Sequence, residues 1–155
     1  MNINMYKLIV PMLIVSLCLV SCNNEKEAPQ ISIEEYFETK NITNAVQTAS
    51  GLYYVINEVG TGVKPQLGES VSVHYTGYHL DGTKFDSSFD RNAPFTFNLG
   101  AGQVIAGWDE GIALLEVGGS GTLYIPSKLA YGSRGQGSIA PNENLKFDVE
   151  LVGIN

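Results

Sequence analysis

The distribution of apolar and polar residues predicts that the chain from Gly51 onward is mostly antiparallel β-sheet. Apolar side chains recur there at every second position within short runs of high β-propensity, as expected for strands with one buried face. The runs span residues 52–59, 70–80, 94–99, 122–126 and 145–151. The dipeptide Asp81-Gly82 after the second run is a strong hairpin signal and predicts a tight turn there.

One segment of this region has the period of a helix instead. Trp108, Ile112 and Leu115 are spaced by four and then three residues, which gives a single short apolar stripe. Asp109 and Glu110 fall in the first turn, where acidic side chains interact favourably with the helix dipole. A lone helix with one apolar stripe suits a curved sheet wrapped around it, so the predicted fold class is α+β.

A second short helix is predicted before the strands, from Ser32 to about Lys40. Ser32 and Glu35 have the spacing of a capping box. Because so short a helix is only marginally stable alone, it either docks on the domain through residues such as Ile33 and Phe37 or frays, and the sequence leaves both outcomes open. A spacer role for this helix is favoured over a dedicated partner site.

The start of the chain is predicted to be a targeting segment outside the fold. Lys7 precedes an apolar run from Leu8 to Val20, which is too short to span about 30 Å of hydrocarbon. Ser21-Cys22 then completes the sequence LVSC, which resembles the lipobox of bacterial lipoproteins. This resemblance implies that the chain is cut before Cys22 and that Cys22 carries lipid, palmitate included. The alternative is an ordinary secretory signal cut near Ser21, which leaves a soluble protein.

The length and charge of the chain limit the number of domains and the class of partner. A chain of 155 residues that is 44% apolar leaves room for one globular domain once a leader is removed. We therefore divide it into a signal peptide over 1–21, a lipidated tether with the short helix over 22–50, and the domain over 51–155. The net charge of −7 and the scattered basic residues argue against nucleic acid as a partner, since phosphate binding needs clustered lysine and arginine.

The candidate chemistry is non-covalent, because no nucleophile stands beside a base. His74 and His79 are the only histidines, and no cysteine, paired carboxylate or further histidine stands at metal-ligand spacing. The stretch Gly132–Gly137 lacks the Gly-Lys-Ser/Thr ending of a phosphate-binding loop, and we predict that it is a mobile flap. Neither a metal nor another cofactor is expected.

The most informative stretch is 73–91, with the sequence VHYTGYHLDGTKFDSSFDR. It sets one carboxylate, Asp86, among Tyr75 and Phe85, with Arg91 five residues farther on. This combination indicates a pocket that holds a substrate rather than one that attacks it. Aromatic and branched residues recur at other strand ends, and although core packing is favoured for any one of them, together they form a recognisable set.

Several separated motifs resemble those of the FKBP-type peptidyl-prolyl isomerases. In chain order they are VHYTG, KFDSS..DRNAPF.F.LG, VIAGWDEGI, LAYG and LKFDVEL, and the resemblance extends from Gly51 to Asn155. It implies a twisted antiparallel half-barrel around one short helix, with the site between sheet and helix. It also implies that the protein isomerises X-Pro bonds in unfolded or partly folded polypeptides. Together with the lipobox, it implies a lipid-anchored protein of a bacterial envelope. The expected place is the periplasmic side of the outer membrane, and the sequence leaves the inner membrane and display on the cell surface open.

The same resemblance implies roles for individual residues. Trp108 would form the floor of a proline pocket, with Tyr75, Phe95, Val104, Ile105 and Phe147 as walls and Phe85, Asp86 and Tyr131 at the mouth. The expected catalytic residues are Asp86, Tyr75 and Tyr131, and the expected substrate-binding residues are Phe85, Arg91, Phe95, Gln103, Val104, Ile105, Trp108, Ile139 and Phe147. The Ile105 N–H and the Tyr131 hydroxyl would donate hydrogen bonds to substrate carbonyls, whereas Arg91 would mainly hold Asp86.

The flap region departs from the family pattern over residues 135–139. It is one residue shorter, has no histidine-proline pair, and has Ser138 where a branched apolar residue is usual. This bears on the affinity for macrolide ligands of the FK506 type and on the preference for the residue before proline.

We expect a monomer. The alternative function is a proline-recognising binding module or holdase of an envelope complex, and a purely structural lipoprotein ranks last.

Overall fold

The computed structural model describes residues 30–155, in which seven strands form one antiparallel sheet. The strands are β1 (Val46–Gln47), β2 (Tyr53–Glu58), β3 (Ser70–His79), β4 (Lys84–Ser87), β5 (Phe95–Asn98), β6 (Ser120–Ile125) and β7 (Leu145–Ile154). The helices are α1 (Ile33–Lys40) and α2 (Ala106–Ile112). The sheet order is β1-β2-β6-β7-β3-β4, with β5 also paired to β3, which confirms the predicted α+β class. The predictions for the leader and Cys22 fall outside the described residues.

The sheet is organised around β3, which is paired along both of its edges. One edge pairs with β7 over most of its length. The other edge pairs first with β5 and then with β4, and the two partners are separated by residues 88–94. This gap at the edge of β3 gives the chain room to turn away from the sheet beside Tyr75.

Helix α2 packs on the inner face of the sheet and brings its apolar stripe into the core. Trp108 and Ile112 are buried, and a Cβ added at Gly111 would lie 2.5 Å from a methyl group of Leu123. Only glycine therefore allows the helix to approach β6 this closely. The predicted helix was too long at its end: the N–H of Leu115 bonds the carbonyl of Ile112 in a tighter turn, although Leu115 stays buried.

Helix α1 docks on the opposite, outer face of the sheet, which decides between the two outcomes left open by the sequence. The Ser32 side chain accepts the Glu35 N–H at 3.0 Å, as the predicted cap requires. Phe37 makes edge contacts with the rings of Tyr53 and Tyr124, with centroids 5.1 and 4.8 Å apart. Ile33 is 3% exposed within the same cluster, so the helix is part of the packed structure.

Substituting Ile33 by alanine is therefore expected to destabilise the protein. Removing a buried isoleucine side chain lowers the free energy of unfolding by about 2 to 5 kcal/mol, and this small outer cluster favours the lower end. Urea unfolding of the full chain measures the effect. Glu38→Ala, at an exposed position of the same helix, is the control and should change little. Equal stability of the two variants would mean that α1 contributes nothing to the fold.

Neither helix within residues 30–155 has both the length and the hydropathy needed to cross a membrane.

Candidate functional site

A cavity of about 200 Å³ opens between α2 and the inner face of the sheet. It is lined by Tyr75, Phe85, Asp86, Phe95, Gln103, Val104, Ile105, Trp108, Tyr131 and Phe147. All ten of these residues belong to the set expected from the sequence. A volume of this size exceeds that of a few water molecules, each about 30 Å³, and admits a small ring.

Trp108 lies at the centre of the aromatic walls. It is 4% exposed, and its ring meets those of Tyr75 and Phe147 nearly at right angles, with centroids 4.8 and 5.4 Å apart. Such edge-to-face contacts are favourable and fix ring orientation. Because α2 is held tightly against β6, the indole is a rigid floor.

The loop that carries Val104 and Ile105 is held in place from α2. Both carboxylate oxygens of Asp109 accept backbone N–H groups, from Gly100 at 2.8 Å and from Gly102 at 3.2 Å. Sequence reasoning assigned Asp109 only to the helix dipole and missed this bond pair. The signal that could have revealed it is the glycine-rich turn just before an acidic first helical turn. The Gln103 side-chain carbonyl also accepts the Asn98 N–H at 2.8 Å, which braces the same loop.

Asp86 is the only charged residue among those that line the cavity, and it belongs to a three-residue network. Its Oδ2 accepts the Tyr75 hydroxyl, and its Oδ1 accepts Nη1 of Arg91 at 2.6 Å. Nη2 of Arg91 donates to the Tyr75 hydroxyl oxygen at 2.6 Å. The expectation that Arg91 and Tyr75 hold Asp86 in place agrees with this geometry.

The network keeps its members in fixed protonation states. Burial by itself would raise the pKa of Asp86, but the hydrogen bonds from Tyr75 and Arg91 outweigh it and keep that pKa below the usual 3.8. Burial and the bond to Asp86 raise the pKa of Tyr75 to about 12. Burial and the charge of Asp86 also raise the pKa of Tyr131. At neutral pH the cavity therefore presents a carboxylate and two neutral phenols, and no group poised to exchange a proton.

These shifts predict a flat pH profile. The contribution of Asp86 to the stability of the folded protein is present above pH 3.8 and is lost as the pH falls through the lower folded-state pKa. The contribution of Tyr75 is present below pH 10.0 and is lost as the pH rises through about 12. X-Pro isomerisation, the activity that the sequence resemblance implies, should accordingly be constant between about pH 5 and pH 9. The measurement is kcat/KM at constant ionic strength. A bell-shaped profile within this range would indicate a titrating acid or base that these shifts do not account for.

Two serines that the sequence reasoning missed hold Tyr75 at the gap in the sheet. Ser88 is fully buried; its Oγ accepts the Tyr75 N–H at 2.8 Å, and its own N–H donates to the Tyr75 carbonyl at 3.0 Å. The Ser87 hydroxyl donates to the same carbonyl at 3.0 Å. These bonds replace the missing strand partner, so the phenol of Tyr75 reaches the cavity from a fixed backbone. Two hydroxyl residues directly after Asp86 were the available signal.

Three of the residues discussed from the sequence do not line the cavity. Arg91 reaches it only through Asp86 and Tyr75. Ile139, expected among the substrate-binding residues, is 6% exposed and packs in the main core. His74 lies on the outer face, where it stacks on Phe89 with ring centroids 4.6 Å apart. Within residues 30–155, no three histidine, cysteine or acidic side chains are grouped to hold a metal ion.

Comparison with known proteins gives a consistent match. The model of the family described as FKBP-type peptidyl-prolyl cis-trans isomerase matches residues 61–152. The chain is 52% identical over 122 residues to the FKBP-type peptidyl-prolyl cis-trans isomerase FkpA of Aeromonas hydrophila, covering 78% of this chain and 45% of that protein. It is 57% identical over 91 residues to the peptidyl-prolyl cis-trans isomerase Fkbp12 of Drosophila melanogaster, covering 58% of this chain and 84% of that protein.

The fold is matched by solved structures as well. The crystal structure of FkpA from Escherichia coli superposes with a TM-score of 0.72 at 39% identity, covering 79% of this chain and 57% of that one. This chain thus spans less than half of the Aeromonas protein and little more than half of the Escherichia coli one.

Proposed function

The chain belongs to the family of FKBP-type peptidyl-prolyl cis-trans isomerases, and from this premise we propose that it accelerates rotation about X-Pro bonds. Its substrates are proline-containing polypeptides that are unfolded or partly folded after export. No covalent bond is made or broken in this reaction, and no cofactor takes part in it.

The observation that carries this proposal is the character of the cavity. Its walls are mostly aromatic or aliphatic, and the one carboxylate among them, Asp86, is already engaged by Tyr75 and Arg91. Such a cavity can bind a proline ring and exclude water from the amide next to it. It offers nothing that would attack a carbonyl.

Catalysis follows from the difference between the planar and the twisted amide. Rotation is slow because amide resonance must be broken, at a barrier of about 18 to 20 kcal/mol. The twisted state has a localised nitrogen lone pair and is less polar, so an apolar cavity that fits the twist favours it over the planar ground state. Lowering the barrier by about 6 kcal/mol would shorten the time constant of isomerisation from tens of seconds to about a millisecond.

Two donors at the rim are proposed to orient the substrate carbonyls. Ile105 caps α2 from outside the helix, and the N–H of a capping residue is not used by the helical ladder. The Tyr131 hydroxyl is protonated at neutral pH, and burial raises its pKa further. Both residues line the cavity, so a bound peptide can accept from them while its proline ring lies on Trp108.

A protease-coupled assay on peptides that differ in the residue before proline tests the proposed function. We expect turnover with every peptide and a preference among them. Binding of a permanently unfolded client without turnover on any peptide would contradict the proposal and favour the binding-module alternative. FK506-type macrolides are proposed to compete for the same cavity, and their effect on turnover can be measured in the same assay.

The proposed location is the periplasmic side of the outer membrane, through lipid on Cys22. The support is the LVSC sequence after an apolar run. Each buried methylene of an acyl chain contributes about 0.8 kcal/mol, so two or three chains give stable anchoring. The protein then acts on exported chains as a monomer at the membrane surface.

Cys22→Ser is expected to move the protein from the membrane fraction to the soluble fraction, because the modified sulfur is lost. Cys18→Ser, within the proposed leader, is the matched control and should leave the protein in the membrane. Fractionation with intact-mass analysis measures both. An unmodified Cys22 in the native protein would exclude the lipid anchor.

A further inference from the structure

A hydrogen-bonded pair that the proposed catalysis does not use lies beside the cavity. Nδ1 of His79 is 2.5 Å from Oε1 of Glu143, and the two side chains are 14% and 13% exposed. Because a carboxylate only accepts hydrogen bonds, Nδ1 of the imidazole carries the donated proton. Each of the lysine and arginine ion pairs within residues 30–155 has at least one side chain that is 41% exposed or more. The His79–Glu143 pair is therefore the one best shielded from water.

Glu143 also fixes the segment that follows the flap. Its Oε2 accepts the Ala140 N–H at 2.7 Å. The preceding loop is closed on itself, since the Asn142 N–H donates to the Gly132 carbonyl at 2.8 Å. Tyr131, at the start of this loop, lines the mouth of the cavity. A change in the position of Glu143 would therefore affect the position of Tyr131 through this loop.

His79 connects the same pair to the other side of the mouth. Its ring meets the ring of Phe85 at a steep angle, with centroids 5.1 Å apart. Phe85 lines the cavity and packs on Phe147. The part-buried contact between His79 and Glu143 thus connects the sheet beside Phe85 to the loop that begins at Tyr131.

The surroundings of the pair leave space for movement if it is broken. A second cavity, of about 380 Å³, lies against it and is lined by residues that include Asp81, Ser138 and Ala140. Asp81 is the other carboxylate facing this space, and it has its own bond, from the Thr83 N–H at 2.7 Å. Because the loop over residues 132–142 borders this cavity, packing alone does not hold it on this side.

We propose that His79 and Glu143 are positioning residues that set the width of the cavity mouth and, through it, the affinity for proline peptides. This inference rests on the proposed function for its substrate. It makes the pair a determinant of peptide binding rather than of the bond rotation itself.

Peptide titration provides the test, because Trp108 is the only tryptophan and lies on the cavity floor, where its fluorescence reports occupancy. Glu143→Gln keeps the side-chain volume but replaces one acceptor oxygen by a donor. We expect Kd for a proline peptide to rise about tenfold, with kcat nearly unchanged, since a largely shielded hydrogen bond to a carboxylate is lost. The amide hydrogen of Ala140 should exchange faster as well.

Further variants separate positioning from general loss of structure. His79→Leu should raise Kd like Glu143→Gln, whereas His79→Asn, which retains a donor near the Nδ1 position, should restore most of the affinity. The double variant His79→Leu with Glu143→Gln should bind the peptide no more weakly than the weaker-binding single variant, because both substitutions break the same contact. Lys84→Gln, which breaks the exposed pair with Asp90, is the matched control and should leave Kd unchanged.

The inference is overturned if folded Glu143→Gln and Lys84→Gln proteins have the same Kd and the same Ala140 exchange rate. A loss of kcat without a change in Kd would overturn it too. Because Kd and exchange are measured without turnover, an inactive native protein would count against the proposed function and would leave this test intact.

Discussion

Trp108→Ala is expected to lower the free energy of unfolding by about 3 to 5 kcal/mol and to remove turnover. The side chain is 4% exposed and contacts the rings of Tyr75 and Phe147. Its loss opens a void in the core and removes the surface on which the proline ring would lie. Urea unfolding and the isomerase assay on the full chain measure the two effects.

Trp108→Phe keeps the prediction testable if the alanine variant does not fold. The buried Nε1–H of Trp108 has no hydrogen-bond partner within residues 30–155. Substitution by phenylalanine therefore reduces the side-chain volume but removes no hydrogen bond. We expect a smaller loss of stability and partial activity. Phe89→Ala is the control, because this aromatic ring is 54% exposed and outside the cavity lining. Full turnover by Trp108→Ala would contradict the role of the floor.

Asp86→Ala is expected to reduce kcat/KM by about 10- to 100-fold, the range that corresponds to losing a charge-assisted bond. The Tyr75 hydroxyl and the Arg91 guanidinium would lose their shared acceptor, so Tyr75 would no longer be fixed in the wall of the cavity. The melting temperature should change little, because the Asp86 side chain is 43% exposed and solvent screens the pair.

Asp86→Asn separates the charge from the shape of the side chain. The amide nitrogen cannot accept from Tyr75, so this variant should also lose activity, though less than the alanine variant does. Asp90→Asn removes an exposed carboxylate four residues away and is the matched control. Unchanged kcat/KM in both Asp86 variants would refute the contribution of Asp86 to catalysis.

The features that the sequence predicted correctly depend on local patterns. The alternation over 70–80 predicted β3, and the four- and three-residue spacing from Trp108 predicted α2. The cap at Ser32 follows from residues three positions apart. In each case the physical cause lies within one element, so a single chain segment is enough to reveal it.

The features that the sequence did not predict depend on contacts between distant segments. The docking of α1 requires the outer faces of β2 and β6, which are adjacent only after the sheet has formed. The His79–Glu143 bond joins residues 64 positions apart. Strand β1 has two residues and exists only through its pairing with β2. The role of Ser88 depends on the gap at the edge of β3, which exists only in the paired sheet.

The central claim is that this cavity accelerates X-Pro rotation without covalent or proton-transfer chemistry. Exchange NMR on a proline peptide, with the full chain present at a small fraction of the peptide concentration, tests it most directly. We expect faster cis–trans exchange than in the free peptide, with nearly equal rates in H2O and D2O. Peptide binding with no gain in exchange rate, or a rate that falls severalfold in D2O, would contradict the claim.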